Sequence, residues 1–326
     1  MNLCSLPLDA GVLYAVDVRS AVKIIACRSA MRNLIRSTFL PVLFLLTGAT
    51  ANAQIAEVVS TTSQNPAARK TLAVQVDVDH AAFAYEESSS LVEMYLAFEA
   101  ATLIYEKSDN GFIALLPVHL EVVRSTQASL SSTQSEATWS DTLNLSFAIA
   151  DTTGLSEGQH FVHQLRAAIP PGEYELRVSV PEDKAIGRSG VSLKRDMVVP
   201  DFADSKLVHV SDVTLASSIQ QSADREDLFY KNGMVIRPNA NQLFGSGLNT
   251  LFYYTEVYNL TDDISSTGKY TVFSYIADAN LPQPMAAYQK RSQRNLRSPD
   301  VVVGTFNVKE LPSGSYFLRL AVLNEN

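Results

Sequence analysis

The apolar and polar positions of this chain alternate with a period of two. Val74, Val76 and Val78 interleave with Gln75, Asp77 and Asp79; Leu143, Leu145, Phe147 and Ile149 interleave with Asn144, Ser146 and Ala148. Tyr174, Leu176, Val178 and Val180 do the same with Glu175, Arg177 and Ser179. Such alternation turns one face to a core and the other to water, which predicts antiparallel strands. Turn residues fall between the runs. Asp109-Asn110-Gly111 separates Leu103–Tyr105 from Phe112–Leu116, and Lys231-Asn232-Gly233 separates Leu228–Tyr230 from Met234–Ile236. Asn-Gly readily takes the positive φ that a tight hairpin needs. Two stretches, Ser205 to Ile219 and Pro284 to Arg294, are each predicted to hold a short helix.

An internal echo sets the expected organisation. Ile169-Pro-Pro-Gly-Glu-Tyr-Glu-Leu-Arg-Val-Ser-Val180 aligns without gaps on Leu311-Pro-Ser-Gly-Ser-Tyr-Phe-Leu-Arg-Leu-Ala-Val322. Pro and Gly turn the chain, and the tyrosine two residues after Gly172 or Gly314 buries its ring while its hydroxyl reaches backbone. Tyr174 and Tyr316 therefore resemble the tyrosine corner of immunoglobulin-type sandwiches. A strand is predicted before each corner, at Phe161 to Ala168 and at Val301 to Val308. A fainter echo pairs Leu91–Phe98 with Leu251–Tyr258. The fold class expected is all-β, with two tandem immunoglobulin-like or fibronectin type III-like β-sandwich domains at 70–200 and 201–326. The boundary falls at Val199-Pro-Asp-Phe202, where a strand pattern ends in proline and polar residues.

The first 53 residues read differently. Arg32 and Arg36 precede the apolar run Phe39–Leu46, and Ala51-Asn-Ala53 follows just before Gln54. Residues 31–53 thus read as a secretory signal peptide with an A-x-A cleavage site, too short in its apolar part to span a bilayer. Met31 is then the better initiator, residues 1–30 a mis-assigned start or extended N-region, and 54–69 a flexible segment. Cleavage after Ala53 removes Cys4 and Cys27 and leaves 21 Lys and Arg against 32 Asp and Glu, a net charge of −11. A thiol-free chain builds no disulfide, thiolate metal site or cysteine nucleophile. Its acidity argues against a nucleic-acid partner. With 46% hydrophobic and 18% charged residues over 326, the chain has ample apolar material for a core.

A family resemblance rests on Leu207-Val-His-Val-Ser-Asp-Val-Thr-Leu215, Tyr230-Lys-Asn-Gly233, Val235-Ile-Arg-Pro-Asn239, Leu243-Phe-Gly245 and Leu251–Leu260. These segments resemble the N-terminal portion of bacterial GWxTD domain-containing proteins, exported and largely uncharacterised. The resemblance runs from about Thr71 onward and implies tandem β-sandwich modules. The sole tryptophan is Trp139, so the Gly-Trp-x-Thr-Asp signature is absent, and no role of the domain that bears it carries over.

Candidate chemistry is sparse. His160 and His163 lie three apart, which on a strand sends them to opposite faces, so no metal pair is expected. Asp77 and Asp79 share a face read as solvent-facing, either a polar outer surface or, with further ligands, a Ca²⁺ site. Asp224-Arg-Glu-Asp227 has the same two readings. Gly245-Ser-Gly247 lacks the spacing of a nucleophile elbow. Lys290, Arg291, Arg294 and Arg297 read as a solvated basic loop, touching an anionic envelope component. Tyr253, Tyr254, Tyr258, Tyr270, Phe273 and Tyr275 fall on two strands, and the outward members, with Tyr253, Tyr254, Tyr258 and Tyr275 as candidates, either stack on a sugar or partner or bury against the first domain.

No cofactor and no metal are expected. The leading functional expectation is a non-enzymatic, exported binding or scaffolding protein making protein–protein contacts in the cell envelope or outside it. A carbohydrate-binding module using the tyrosines, and a hydrolase with an interdomain site, are the alternatives.

Overall fold

The computed structural model describes residues 16–25, 72–86, 88–125, 137–156, 158–260, 267–281 and 283–324. The expected signal segment 31–53 and the segment 54–69 lie outside them. The chain is an all-β sandwich fold, and a single 3-10 turn at Ala100–Thr102 is the only helical piece among the described residues. Its first half carries strands Val16–Ile25 (β1), Leu72–Ala73 (β2), Val76–Glu86 (β3), Ser89–Glu99 (β4), Glu106–Ser108 (β5), Gly111–Arg124 (β6), Ala137–Ile149 (β7), His160–Ile169 (β8), Gly172–Val180 (β9), Arg188–Ser189 (β10) and Val191–Val199 (β11). The second half carries His209–Val210 (β12), Thr214–Gln221 (β13), Tyr230–Lys231 (β14), Met234–Pro238 (β15), Leu243–Gly245 (β16), Thr250–Tyr258 (β17), Lys269–Asp278 (β18), Gln289–Asn295 (β19), Asp300–Asn307 (β20) and Gly314–Asn324 (β21).

Four larger sheets stack face to face. A sheet of β11-β9-β6-β5, with β7 also on β6, packs on the sheet β3-β4-β8. Between them lies one apolar core, where Met94, Leu96 and Phe98 meet Leu120, Leu176 and Val178. Each such fully buried side chain contributes about 1.5–3 kcal/mol. A second core joins β17 and its neighbours to the sheet β16-β1-β21-β18-β19, with Leu251, Val257, Ile276, Leu318 and Leu320 inside. A third apolar layer sits between the two pairs of sheets: Ala81, Phe83, Tyr95 and Ala97 of the β3-β4-β8 sheet meet Ala216, Met234, Ile236 and Tyr254. The β3-β4-β8 sheet is thus covered on both faces, and seven consecutive residues of β4, Val92 to Phe98, are buried although Glu93 is among them.

Local signals explain the elements. Asn232 (φ 49°) and Gly233 (φ 79°) both take positive φ in the β14–β15 hairpin, as a two-residue turn requires. Tyr174 Oη donates to the Pro170 carbonyl at 2.8 Å and Tyr316 Oη to the Pro312 carbonyl at 3.0 Å, with both rings buried. Gly304 faces Tyr253 across the β17–β20 pair, and a Cβ there would run into the tyrosine ring and hydroxyl.

Three expectations are corrected. Ser205–Ile219 holds no helix: it contains β12 and the start of β13, because Val208, Val210, Val213 and Leu215 all reach one core. Pro284–Arg294 holds a turn and β19, whose residues are almost all exposed, so Lys290, Arg291 and Arg294 of the basic stretch lie on an edge strand, and only Arg297 follows it in a loop. Asp79 does not face solvent, because the second pair of sheets covers that face of β3; it is 9% exposed. One element lay outside every domain drawn from the sequence. Val16–Ile25, upstream of Met31, is a full strand between β16 and β21, and its Val22 and Ile24 belong to the second core.

Candidate functional site

The chemistry-bearing side chains converge at the seam between the two pairs of sheets. Its centre is Lys231, brought in by the Asn-Gly hairpin, with Glu93 from β4 and Glu256 from β17 on either side. Lys231 Nζ lies 3.4 Å from Glu93 Oε1 and 3.6 Å from Glu256 Oε1, and 2.8 Å from the centroid of the Phe83 ring. Burial pushes the Lys231 ammonium below its usual range, against the pull of the two carboxylates. Arg166 supplies a second cation to Glu93 at 3.0 Å and donates to the Tyr230 carbonyl at 3.0 Å. Glu256 accepts from both Tyr254 Oη and Tyr258 Oη and from Asn232 Nδ2. Burial, then the Glu256 charge, holds both phenols well above their ordinary pKa.

Further ties cross the seam. Tyr95 Oη and Thr214 Oγ1 are 3.0 Å apart; Ala84 N–H donates to Tyr258 Oη at 3.1 Å. Asp212 accepts from Ala82 N–H at 2.9 Å while its own N–H donates to the Ala82 carbonyl. Gln242 Nε2 donates to Asp79 Oδ2 at 2.9 Å, and Arg195 Nη2 holds the other carboxylate oxygen at 2.8 Å. Burial raises the pKa of Asp79 and lifts that of Asp212 to about 6. His80, also buried and near Arg195, is depressed to about 4.

What this arrangement can do is limited by space. The cavity beside Lys231, Glu93 and Tyr254 holds about 10 Å³, at the threshold for one water and far below any substrate. At the mouth of the seam a groove of about 410 Å³ opens between His160 and Val162 on one side and Ser217, Asn239 and Leu243 on the other. It brings a hydroxyl and an imidazole together without pairing them. Ser217 Oγ donates to the Arg237 carbonyl at 3.2 Å, His160 Nδ1 lies 3.0 Å from the Gly158 carbonyl, and its Nε2 faces Asp77 at 4.0 Å. A nucleophile needs its base within hydrogen-bond reach, and this serine is engaged elsewhere.

The four candidate tyrosines do not form an exposed platform. Tyr253 points into the second core and donates to Ser274 Oγ at 3.0 Å. Tyr254 and Tyr258 face the seam, with Tyr254 edge-on to Phe83 at 6.0 Å. Tyr275 is buried on the opposite face of β18, 5.0 Å from Phe273. Of the two readings of these tyrosines, stacking outward or burial against the first half, Tyr254 and Tyr258 lie against the first half, since β17 is covered on both faces. Gly172 and Gly314 open β9 and β21 as corner residues, and Gly172 has φ 154°.

The basic stretch is engaged in intramolecular contacts. Arg294 makes a two-pronged pair with Asp300, at 2.6 and 3.1 Å, and Tyr270 Oη adds a third bond to that carboxylate. Burial opposes ionisation of Asp300, but these donors more than offset it and hold its pKa below the usual range. Lys290 donates to the Thr305 carbonyl and lies 5.1 Å over the Phe306 ring; Arg291 lies 4.6 Å over Phe273. A groove of about 600 Å³ runs past Lys269, Ser292, Arg294 and Arg297. In the acidic loop Asp227 pairs with Arg237 at 3.5 Å and caps Phe229 N–H. Among the described residues no three His, Cys, Asp or Glu side chains are placed to hold a metal. No described helix is long and apolar enough to cross a membrane.

Of the seam residues the sequence singled out Tyr254, Tyr258 and Asp79, but not the ion cluster of Lys231, Glu93 and Glu256. Lys231 and Asn232 stood as turn residues and within one resemblance segment, while Glu93 and Glu256 are polar positions in the apolar runs Leu91–Phe98 and Leu251–Tyr258. That last feature was the available signal: a lone carboxylate in a run such as Leu91–Phe98 needs a buried partner if both faces are covered. Comparison with protein-family models finds no match, and neither does comparison with curated proteins.

Proposed function

We propose that this chain is an exported, non-enzymatic binding or scaffolding protein, built of two tandem sandwich domains at 70–200 and 201–326 behind a signal peptide at 31–53. It acts through protein–protein contacts in the cell envelope, as its resemblance to the N-terminal portion of GWxTD domain-containing proteins suggests. The observation that carries the reading is the seam. The buried ionisable side chains Lys231, Glu93 and Glu256 are spent on joining the two pairs of sheets, in a layer with no room for a substrate. Hydrogen bonds and ion pairs across this layer tie the two pairs of sheets together. The exposed surface then offers grooves and strand edges, which suit a partner polypeptide.

The test is to recover the protein from its native cell. An envelope fraction whose N-terminus begins at Gln54, and in which Ser292→Cys cross-links to one defined partner, is the expected result. Both native cysteines precede Ala53, so the introduced thiol is unique. Cytoplasmic protein that retains residues 1–53 contradicts export. A hydrolytic activity abolished by Ser217→Ala contradicts the non-enzymatic role.

A further inference from the structure

The strand β1 occupies an unusual place. It is first in sequence and pairs antiparallel with the last strand over nine consecutive positions, from Val16 opposite Val322 to Ile24 opposite Gly314. On its other side it runs parallel to β16, with Lys23, Ile24 and Ile25 opposite Leu243, Phe244 and Gly245, and Lys23 N–H donates to the Gln242 carbonyl at 2.9 Å. Val22 and Ile24 are 1% and 3% exposed among Phe244, Tyr316, Leu318 and Leu320, while Lys23 between them faces outward. The segment thus fills a slot with two apolar sockets two residues apart and a ladder of backbone bonds.

This segment lies on the far side of Ala53. If the signal peptide is cut where the sequence reading places it, residues 16–25 leave with it. The mature chain then presents an edge of β21 nine positions long, with the N–H and C=O groups of alternate residues unpaired while the rest stay bonded to β18, beside two emptied apolar sockets. An open edge of that length pairs readily with another strand. Main-chain bonds supply the affinity in such additions and alternate side-chain pockets the selectivity.

We propose, resting on the export reading above, that the slot between Leu243–Gly245 and Gly314–Asn324 is a strand-accepting site. Val16–Ile25 fills it in the uncut chain that begins at Met1, the extended-N-region form of that reading. After cleavage it takes, from a partner polypeptide, an extended segment with β-branched apolar side chains at alternate positions, added antiparallel to β21. The occupant's chemistry is copied from the strand seated there: Val and Ile inward, a charged residue outward between them.

The test uses the full chain with a specific protease site inserted between Ala53 and Gln54, folded before it is cut. The probe is a labelled synthetic peptide of residues 16–25. The expected result is that fragment 1–53 stays bound after cutting and exchanges for the labelled peptide at one per chain. A peptide carrying Val22→Asp and Ile24→Asp binds at least about tenfold more weakly. Hydrogen exchange adds a second readout: the alternate amides of 314–322 that face the slot lose protection when the fragment is washed out and regain it when the peptide is added. No binding of the labelled peptide, or equal binding of the double-Asp peptide, overturns the proposal. So does unchanged protection of 314–324 in the washed protein, which would mean that residues 54–71 close the slot themselves. Because the cut is engineered, these outcomes do not depend on export, which the N-terminal sequence of the native protein decides separately.

Discussion

The two corners are written in nearly the same residues and are finished in different ways. Tyr174 is enclosed by its own half of the molecule. Arg124 of β6 lies 5.0 Å over its ring and donates to its hydroxyl at 2.8 Å, and β9 is paired on one side by β11 and on the other by β6. Tyr316 has β18 on one side, but on the other its strand neighbour is Val22, a residue some three hundred positions earlier in the chain. The repeated unit therefore specifies a bend and two strand directions, and leaves the lateral closure of the sheet to whatever strand is at hand. The first pair of sheets is closed by segments adjacent to it in sequence. The second borrows its closure from a segment that the sequence reading assigns to the discarded part of the chain.

The variants that separate the halves follow from this difference. Lys231→Met acts on both at once, because it removes the cation that Glu93 and Glu256 share and leaves Glu93 to Arg166 and Glu256 to its hydrogen-bond donors alone. Removal of one partner from a buried ion cluster costs about 3–5 kcal/mol. Denaturant unfolding should show that loss, and Glu93→Gln in the same background should recover part of it. Ile24→Ala should act on the second pair alone. The lost burial and residual cavity cost about 2–4 kcal/mol, and exchange should accelerate in 314–324 while 172–180 stays as protected as before.

The pH dependence sharpens the comparison at the seam. Burial raises Asp212 to about 6, so the folded state holds its proton at a pH where the unfolded chain has released it. The stability that this contributes is complete below the ordinary carboxylate range and is lost as pH rises through about 6. Burial lowers His80 to about 4, which works in the opposite direction: stability is lost as pH falls from about 6.5 toward 4. The parent protein should therefore vary little between pH 7 and 5 from these two groups. Asp212→Asn should lose about 1–2 kcal/mol relative to the parent over that interval, and His80→Gln should gain a similar amount. Urea midpoints at the two pH values measure both.

The smallest effect concerns the corner hydroxyls. Tyr316→Phe removes one hydrogen bond, worth about 1 kcal/mol. Tyr174→Phe should cost more, because the Arg124 guanidinium loses its acceptor along with the Pro170 carbonyl losing its donor. Thermal midpoints of the two variants rank them.

The strands and bends were legible because they depend on neighbours in sequence. Alternation from Tyr174 to Val180 and the Asn232-Gly233 turn needed no tertiary information. The orientation of Tyr254, Tyr258 and Tyr275 did, since a period of two assigns a residue to one of two faces without saying what covers either. Asp79 was misread for the same reason. Ser205–Ile219 looked helical because Val208, Val210, Val213 and Leu215 break their alternation between β12 and β13, and a broken alternation of short length fits either period. The alternation of Val16, Val18, Val22 and Ile24 was present in the sequence, but its position upstream of a signal-like segment took it out of the fold.

Native-state hydrogen exchange of the full chain, read along Gly172–Val180 and Gly314–Asn324, tests the central claim most directly. Both strands are paired on both sides, so slow exchange at every interior amide of each is expected. Slow exchange in 172–180 with rapid exchange at alternate amides of 314–324 would show an open edge where β1 should lie, and would contradict the account.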